Sequence, residues 1–448
     1  MTTTSRLLPS AVLFFLVVGA SYSVQVPLWE APDERDHFHH CQFLVKNGVL
    51  PPFVGARAAN TDSTVLWPQS PQLYYALGGL LVGSETEYAH PHVHFRPRRY
   101  TLYYCDLPKT TFPYEGVIRR VHLLRLATLA LGAMTLWLTW RTARLLFPAD
   151  PAAALAALAF HVAIPQFAFI SATVNNENLC NTLTALCIYL LIRLVCRPFR
   201  WSIPVFLGLA LGAALLTKQS AFYLGPVIIL AVELEWRRHR SLRRSLAVLA
   251  MIGGLALAVA GWWYARNAVF YGDPFGTRDT QAVVQKHWGE EMGARSLSVS
   301  TLLEMFKYWF GSFWVSIGQL ALHLPKPWYV ALGMACLASL IGLADSFRRD
   351  GRQPLLRAEE RQGLLLMVVA VVALVALGVN YNLQIYTPQG RNFFVGIVPI
   401  SILGGTGFLS FWPASSRERG AGVMLVAAVL FQTIVLLGYV APVNWAAQ

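Results

Sequence analysis

The sequence predicts an all-α polytopic membrane protein of about eleven transmembrane helices with external juxtamembrane helices. Three observations predict it. The 448-residue chain is 55% hydrophobic and only 13% charged. Apolar runs of 17 to 25 residues recur along it, and a span needs roughly 20. The basic residues between those runs fall on alternate connections, as the positive-inside bias requires.

The spans read as 8–27, 118–140, 151–172, 179–196, 201–217, 219–235, 245–265, 327–346, 362–382, 391–412 and 420–441. The first, preceded by Arg6, is expected to be a retained helix and not a cleaved leader, because its apolar character continues to Val26. The stretch 70–83, SPQLYYALGGLLVG, is apolar but too short to cross, so a re-entrant or interface-lying helix is expected there.

Charge fixes the direction. With the N-terminus cytoplasmic and 28–117 external, the inside loops hold Arg141 and Arg144; Arg193, Arg197 and Arg200; and Arg237, Arg238, Arg240, Arg243 and Arg244. Further on they hold Arg348, Arg349, Arg352, Arg357 and Arg361, then Arg417 and Arg419. If 70–83 crossed, every later cluster would change sides. About half of the 36 basic residues are thereby topological anchors. The net charge of +13 therefore needs no nucleic-acid partner. A single membrane domain spanning 1–448 is expected, with external loops at 28–117 and 266–326 and no separate soluble domain. Lys307 to Gly318, KYWFGSFWVSIG, is aromatic-rich and suits the interface.

Six cysteines are no disulfide framework. Cys180, Cys187, Cys196 and Cys336 lie within or at the ends of apolar runs, while Cys41 and Cys105 share the first long loop, where a pairing stays open.

The polar chemistry concentrates at residues 27–53. Glu30, Asp33, Glu34, Asp36, His37, His39 and His40 fall within eleven positions in a chain with only 23 acids. After Pro32 the stretch reads as a short helix closed by Gly48. Asp33, His37, His40 and Leu44 then share one face. A solvated amphipathic helix is the bland reading. A divalent metal on Asp33, His37 and His40 is a second, with His90, His92 and His94 as further ligands on the same side; no spacing is diagnostic. Lys218, Arg266 and Arg391 sit at the membrane boundary opposite to the anchors. Any one of them could snorkel to headgroups, but three beside an acidic loop suit a phosphate cradle.

These elements resemble, in order, the GT-C class of polytopic glycosyltransferases that use polyprenyl-phosphate sugars, near the protein O-mannosyltransferases and the lipid A aminoarabinose transferases. PDERDHFHH is similar to the acidic motif after the first helix. SPQLYY is similar to the Pro-Pro-Leu element, with Gln72 departing from it. ATVNNENL, GLALGAALLTKQS, GWWYARNAVFYGDPFG and TPQGRNFFVGIVPIS resemble later elements, with Asn392 where the class has an aromatic residue after Gly-Arg.

The resemblance implies inverting transfer of a sugar, hexosyl or pentosyl, from a polyprenyl-phosphate donor to a glycan, lipid or protein acceptor, at the external or periplasmic face of the plasma (inner) membrane. Asp33 is the expected base, assisted by Glu34. Lys218, Arg391 and Arg266 are expected to hold the lipid phosphate, with His37, His40, Tyr74, Asn175 and Asn176 in support. Some relatives bind a divalent metal at the acidic loop and others do not. A transporter or flippase of lipid-linked sugars is the rival from another class; it would show inverted repeats and discontinuous mid-membrane helices, and neither is visible in the sequence. A non-catalytic lipid-linked-sugar binding subunit is a third reading.

Overall fold

The computed structural model describes residues 3–51, 65, 67–83, 93–95, 103–105, 112–318, 320–348 and 357–442. The side chains of Arg6, His90, His92, His94, Cys105, Arg348, Arg349 and Arg352 lie outside the described ones. The described residues are nearly all helical. A span α1 (Thr3–Gln25) is followed by two short helices, α2 (Glu34–Asn47) and α3 (Leu73–Val82), and by one antiparallel strand pair, β1 (Val93–Phe95) and β2 (Tyr103–Cys105). Then come α4 (Gly116–Leu146), α5 (Pro151–Val162), α6 (Pro165–Ser171), α7 (Asn176–Cys196), α8 (Ser202–Leu215), α9 (Leu224–His239) and α10 (Leu242–Tyr271). The remainder is α11 (Thr277–Trp288), α12 (Val299–Trp314), α13 (Lys326–Arg348), α14 (Ala358–Gln384), α15 (Ile397–Leu409) and α16 (Arg417–Val435).

Each run read as a span is helical, but three depart from simple crossings. Among the described residues eight helices are long and apolar enough to span, or nine if one bent pair counts. That pair is α5 and α6, which meet at 70° where Pro165 removes an N–H from the helical ladder. No discontinuous helix was visible in the sequence; the bent pair α5–α6 is one. The runs 201–217 and 219–235 became α8, of 14 residues, and α9, of 16, joined by a 3₁₀ turn Gln219–Tyr223. At 1.5 Å per residue α8 covers about 21 Å, short of the roughly 30 Å hydrocarbon layer. The stretch 70–83 forms α3, ten residues long and unable to cross, as its length predicted.

The core centres on α5, whose residues from Ala152 to Val162 are all buried. Its neighbours are α4, α15 and α16. Alanines let these backbones approach closely, as small residues do between membrane helices. A methyl added at Gly405 of α15 would lie 2.5 Å from the Ala156 carbonyl carbon.

The two ends of the bundle differ in charge. At one, arginines tie neighbouring helix ends together: Arg197 donates to the Leu145 carbonyl at 3.2 Å, Arg238 to that of Val195 at 3.2 Å, and Arg417 pairs with Asp150 at 2.7 Å. At the other end the carboxylates of the α1–α2 turn and the start of α7 meet Lys218 and Arg391.

Candidate active site

The turn between α1 and α2 sends two adjacent acids in opposite directions. Asp33 stands before the first residue of α2 with φ 61° and ψ 4°, a left-handed conformation that Asp tolerates better than most residues. Helix α2 ends at Gly48, also left-handed at φ 63°, the stop its sequence predicted.

Glu34 turns inward. Its carboxylate and the Arg125 side chain of α4 are both 0% exposed. Arg125 Nε donates to Oε1 at 2.7 Å and Nη2 to Oε2 at 2.6 Å. The backbone N–H groups of Trp29 and Val174 donate to the same carboxylate at 3.1 and 3.0 Å. The guanidinium also reaches the carbonyls of Ser23, Val26 and Pro27. One ion pair thus ties the end of α1, the start of α2, α4 and the α6–α7 link. Glu34, expected to assist the base, has its acceptor positions filled by this junction and faces away from Asp33's partners.

Asp33 turns outward, its side chain 36% exposed, and its Oδ2 takes a short ion pair from Arg391 Nη2. Arg391 lies in the 3₁₀ turn Gly390–Gly396 leading into α15. Its other donors go to Gln389 Oε1 at 2.7 Å and the Pro32 carbonyl at 3.4 Å. This turn sits hard on α12. The Gly390 N–H donates to Ser312 Oγ at 2.7 Å, and a methyl on Gly390 would fall 2.2 Å from the Phe313 nitrogen.

Glu177 joins the two cations. Asn175 caps α7 by accepting the Glu177 N–H at 2.7 Å, which places Glu177 in the first turn. Its Oε1 lies 2.5 Å from Lys218 Nζ and 3.9 Å from Arg391 Nε. Among the described residues nothing bonds its Oε2 or Asn175 Nδ2. Lys218 stands between α8 and the 3₁₀ turn after it, 28% exposed. Four segments far apart in the chain therefore place two carboxylates and two cations side by side.

A second polar layer stands beside the first. His37 Nδ1 is 3.0 Å from the Tyr75 hydroxyl, which also receives Asn176 Nδ2 at 3.3 Å. His40 stacks on the Tyr75 ring at 3.7 Å and 6°, and its Nε2 is 3.0 Å from Gln72 Oε1. Tyr74 is buried edge-on to the His37 ring at 6.3 Å. The residue that departs from the Pro-Pro-Leu pattern, Gln72, thus has a role of its own, as the brace on His40.

Burial holds both imidazoles neutral, pushing His37 down to about 4 and His40 down to about 3. For Asp33 burial pulls upward, but Arg391, followed by His37 and Lys218, outweighs it and holds the carboxyl below its ordinary value.

The Asp33, His37 and His40 set is not arranged as a ligand shell. Arg391 occupies Asp33 Oδ2 and Gln72 the His40 Nε2. Among the described residues no three His, Cys, Asp or Glu side chains group to hold a metal. Cys41 is a buried free thiol. Arg266 works elsewhere: it donates to the Pro51 carbonyl at 3.0 Å and to Asn267 Oδ1 at 3.3 Å, and stacks on Trp263 and Phe270. It braces the first long loop, and none of its hydrogen bonds reaches Asp33.

Glu177 and Tyr75 were not singled out from the sequence, and Gln72 was singled out only as a departure from the motif. Glu177 did carry a signal, being a rare acid that opens an apolar helix within an Asn-rich turn.

Residues 120–264 match the family described as dolichyl-phosphate-mannose-protein mannosyltransferase. No curated protein matches the sequence. The crystal structure of ArnT from Cupriavidus metallidurans bound to undecaprenyl phosphate superposes with a TM-score of 0.54 at 15% identity, covering 99% of this chain and 74% of ArnT. The apo form of the same protein gives 0.54 at 13%, covering 97% and 76%. The resemblance drawn from the ordered motifs thus extends to the architecture: the chain has the fold of a GT-C glycosyltransferase over nearly its whole length, and resembles the mannosyltransferase family in sequence across α4 to α10.

Proposed function

We propose that the protein is a glycosyltransferase that moves a sugar from a polyprenyl-phosphate donor to an acceptor at the external face of the plasma membrane, with its N-terminus cytoplasmic. The observation that carries this reading is the convergence of Asp33, Glu177, Lys218 and Arg391. The segregation of arginines to the far end of the bundle supports the orientation, and the undecaprenyl phosphate held by ArnT supports the class of donor.

In this reading Lys218 and Arg391 receive the lipid phosphate, Arg391 through forked N–H groups and Lys218 as a point charge. Glu177 keeps both cations in place and limits their mutual repulsion. The acceptor hydroxyl gives its proton to Asp33 as its oxygen attacks the anomeric carbon from the face opposite the phosphate. The bond between that carbon and the phosphate oxygen breaks, and the lipid phosphate leaves as an anion stabilised by the two cations. The leaving oxygen needs no proton, so one base suffices. No step is assigned to a metal.

Binding of undecaprenyl phosphate to the purified protein in lipid nanodiscs tests the cradle. Arg391→Ala removes charge-assisted hydrogen bonds of about 1.5–3 kcal/mol, so Kd should rise roughly 10- to 100-fold; unchanged binding in both Arg391→Ala and Lys218→Ala would refute the cradle. Gly390→Ala should act through Arg391. The added methyl overlaps the α12 backbone, so the turn must shift and the same affinity should fall although no charge is altered.

The pH profile tests the base. Asp33 is shifted downward, so the reactive carboxylate persists above its lowered pKa. Transfer should hold steady from neutrality down to about 4, the ordinary carboxylate range, and fall only below it. An acid limb at pH 6 to 7 would exclude Asp33.

A further inference from the structure

His37 is 8% exposed, and only one of its ring nitrogens is engaged: Nδ1 meets Tyr75 while, among the described residues, nothing bonds Nε2. Its carbon neighbours are fixed by the stacked Tyr75 ring at 5.8 Å and the edge of Tyr74. In the relay behind it, the partner of Nδ1 bears on which nitrogen carries the proton. Asn176 Nδ2 donates to the Tyr75 oxygen, which fills one of its two acceptor positions and favours the phenolic hydrogen on His37 Nδ1. An Nδ1 that accepts leaves the proton of a neutral imidazole on Nε2. Gln72 secures the same relay from the other side. Its amide nitrogen donates to the Ser70 carbonyl at 2.5 Å, which turns its oxygen to His40. His40 then stacks flat on Tyr75 and holds that ring in register.

We propose that His37 is a substrate-binding residue whose Nε2–H donates to a hydroxyl of the transferred sugar, and that Asn176, Tyr75, His40 and Gln72 are positioning residues that set its tautomer. The assignment rests on the glycosyltransferase reading and adds the sugar subsite to it. The lipid phosphate has two cations of its own in Lys218 and Arg391. An uncharged N–H one helical turn from Asp33 suits a neutral oxygen better than an anion. Burial keeps the ring unprotonated at neutral pH, which preserves the single-donor state.

Two measurements test this. Nitrogen-15 NMR of histidine-labelled protein should show a protonated Nε2 and an unprotonated Nδ1 for His37, and Tyr75→Phe should mix the two forms. A wild-type spectrum with the proton on Nδ1 would overturn the relay. This readout needs no substrate, so it stands apart from any failure of the enzymatic reading. The second measurement compares undecaprenyl phosphate with undecaprenyl phosphate bearing mannose, glucose or a pentose. For the sugar-linked lipid bound best, His37→Ala should raise Kd about 2- to 12-fold, one neutral hydrogen bond at about 0.5–1.5 kcal/mol. His37→Gln, which can still present an N–H, should recover part of that loss, and binding of bare undecaprenyl phosphate should be unchanged in both variants. Weakened binding of the bare lipid in His37→Ala would assign the group to the phosphate instead. If no sugar-linked form binds more tightly than the bare lipid, the subsite does not exist.

Discussion

Asp33→Asn should abolish sugar transfer and leave the protein folded. A positioned general base contributes about 10²–10⁴-fold, so kcat should fall by about three orders of magnitude. The substitution isolates chemistry from conformation unusually well. Asp33 has a positive φ of 61°, and Asn is among the few residues that occupy that region readily; Asn also keeps an oxygen for Arg391. Unfolding temperature should therefore stay near wild type, and undecaprenyl phosphate should still bind, since Glu177 alone can hold Lys218 and face Arg391. Asp33→Ala would add backbone strain to the chemical loss and is the poorer probe. Transfer at the wild-type rate in Asp33→Asn would remove this carboxylate as the base. Loss of folding would show that its bond to Arg391 is structural.

Why some of this was readable in the sequence and some not is a matter of the range of the forces involved. Helix α2 was legible from its punctuation, with Pro32 before it and Gly48 after, because helix ends depend on neighbours within one turn. The short α3 was legible from length alone. Lys218 and Arg391 stood out because an apolar setting makes a misplaced charge expensive. The bend between α5 and α6 was missed because Pro165 lies within an apolar run whose hydropathy continues through it. Helices α8 and α9 were read as spans because the largely apolar runs 201–217 and 219–235 are separated only by Lys218; the 3₁₀ turn there shortens both. Glu177 and Gln72 gain meaning only from partners 41 and 32 positions away. Arg266 differs for the converse reason: its partners are local, Trp263 and Phe270 being the surfaces on which the guanidinium stacks. Glu34 shows the limit most sharply: by composition it cannot be told from Asp33, and only Arg125, 91 residues on, separates their roles.

That separation yields the second large effect, in stability and not in chemistry. Glu34→Gln should strip the charge that balances a fully buried guanidinium, and breaking such a pair on one side costs about 3–5 kcal/mol. The four segments that meet at Arg125 would lose their common anchor, and the Asp33 turn is one of them. Purified Glu34→Gln should therefore unfold at a clearly lower temperature in nanodiscs and accumulate poorly in membranes, the reverse of the Asp33→Asn pattern. The matching single variant Arg125→Met should be similarly damaged, since it leaves the carboxylate with two backbone donors but no counter-charge. The double variant Glu34→Gln with Arg125→Met removes both charges, and it should be more stable than the sum of the single losses predicts, because residues in one ion pair are not additive. Recovery of stability in the double variant together with transfer activity would establish that Glu34 acts only through the fold. Recovery of stability without activity would mean that Glu34 also takes part in the reaction, which its enclosure by Arg125, Trp29 and Val174 argues against.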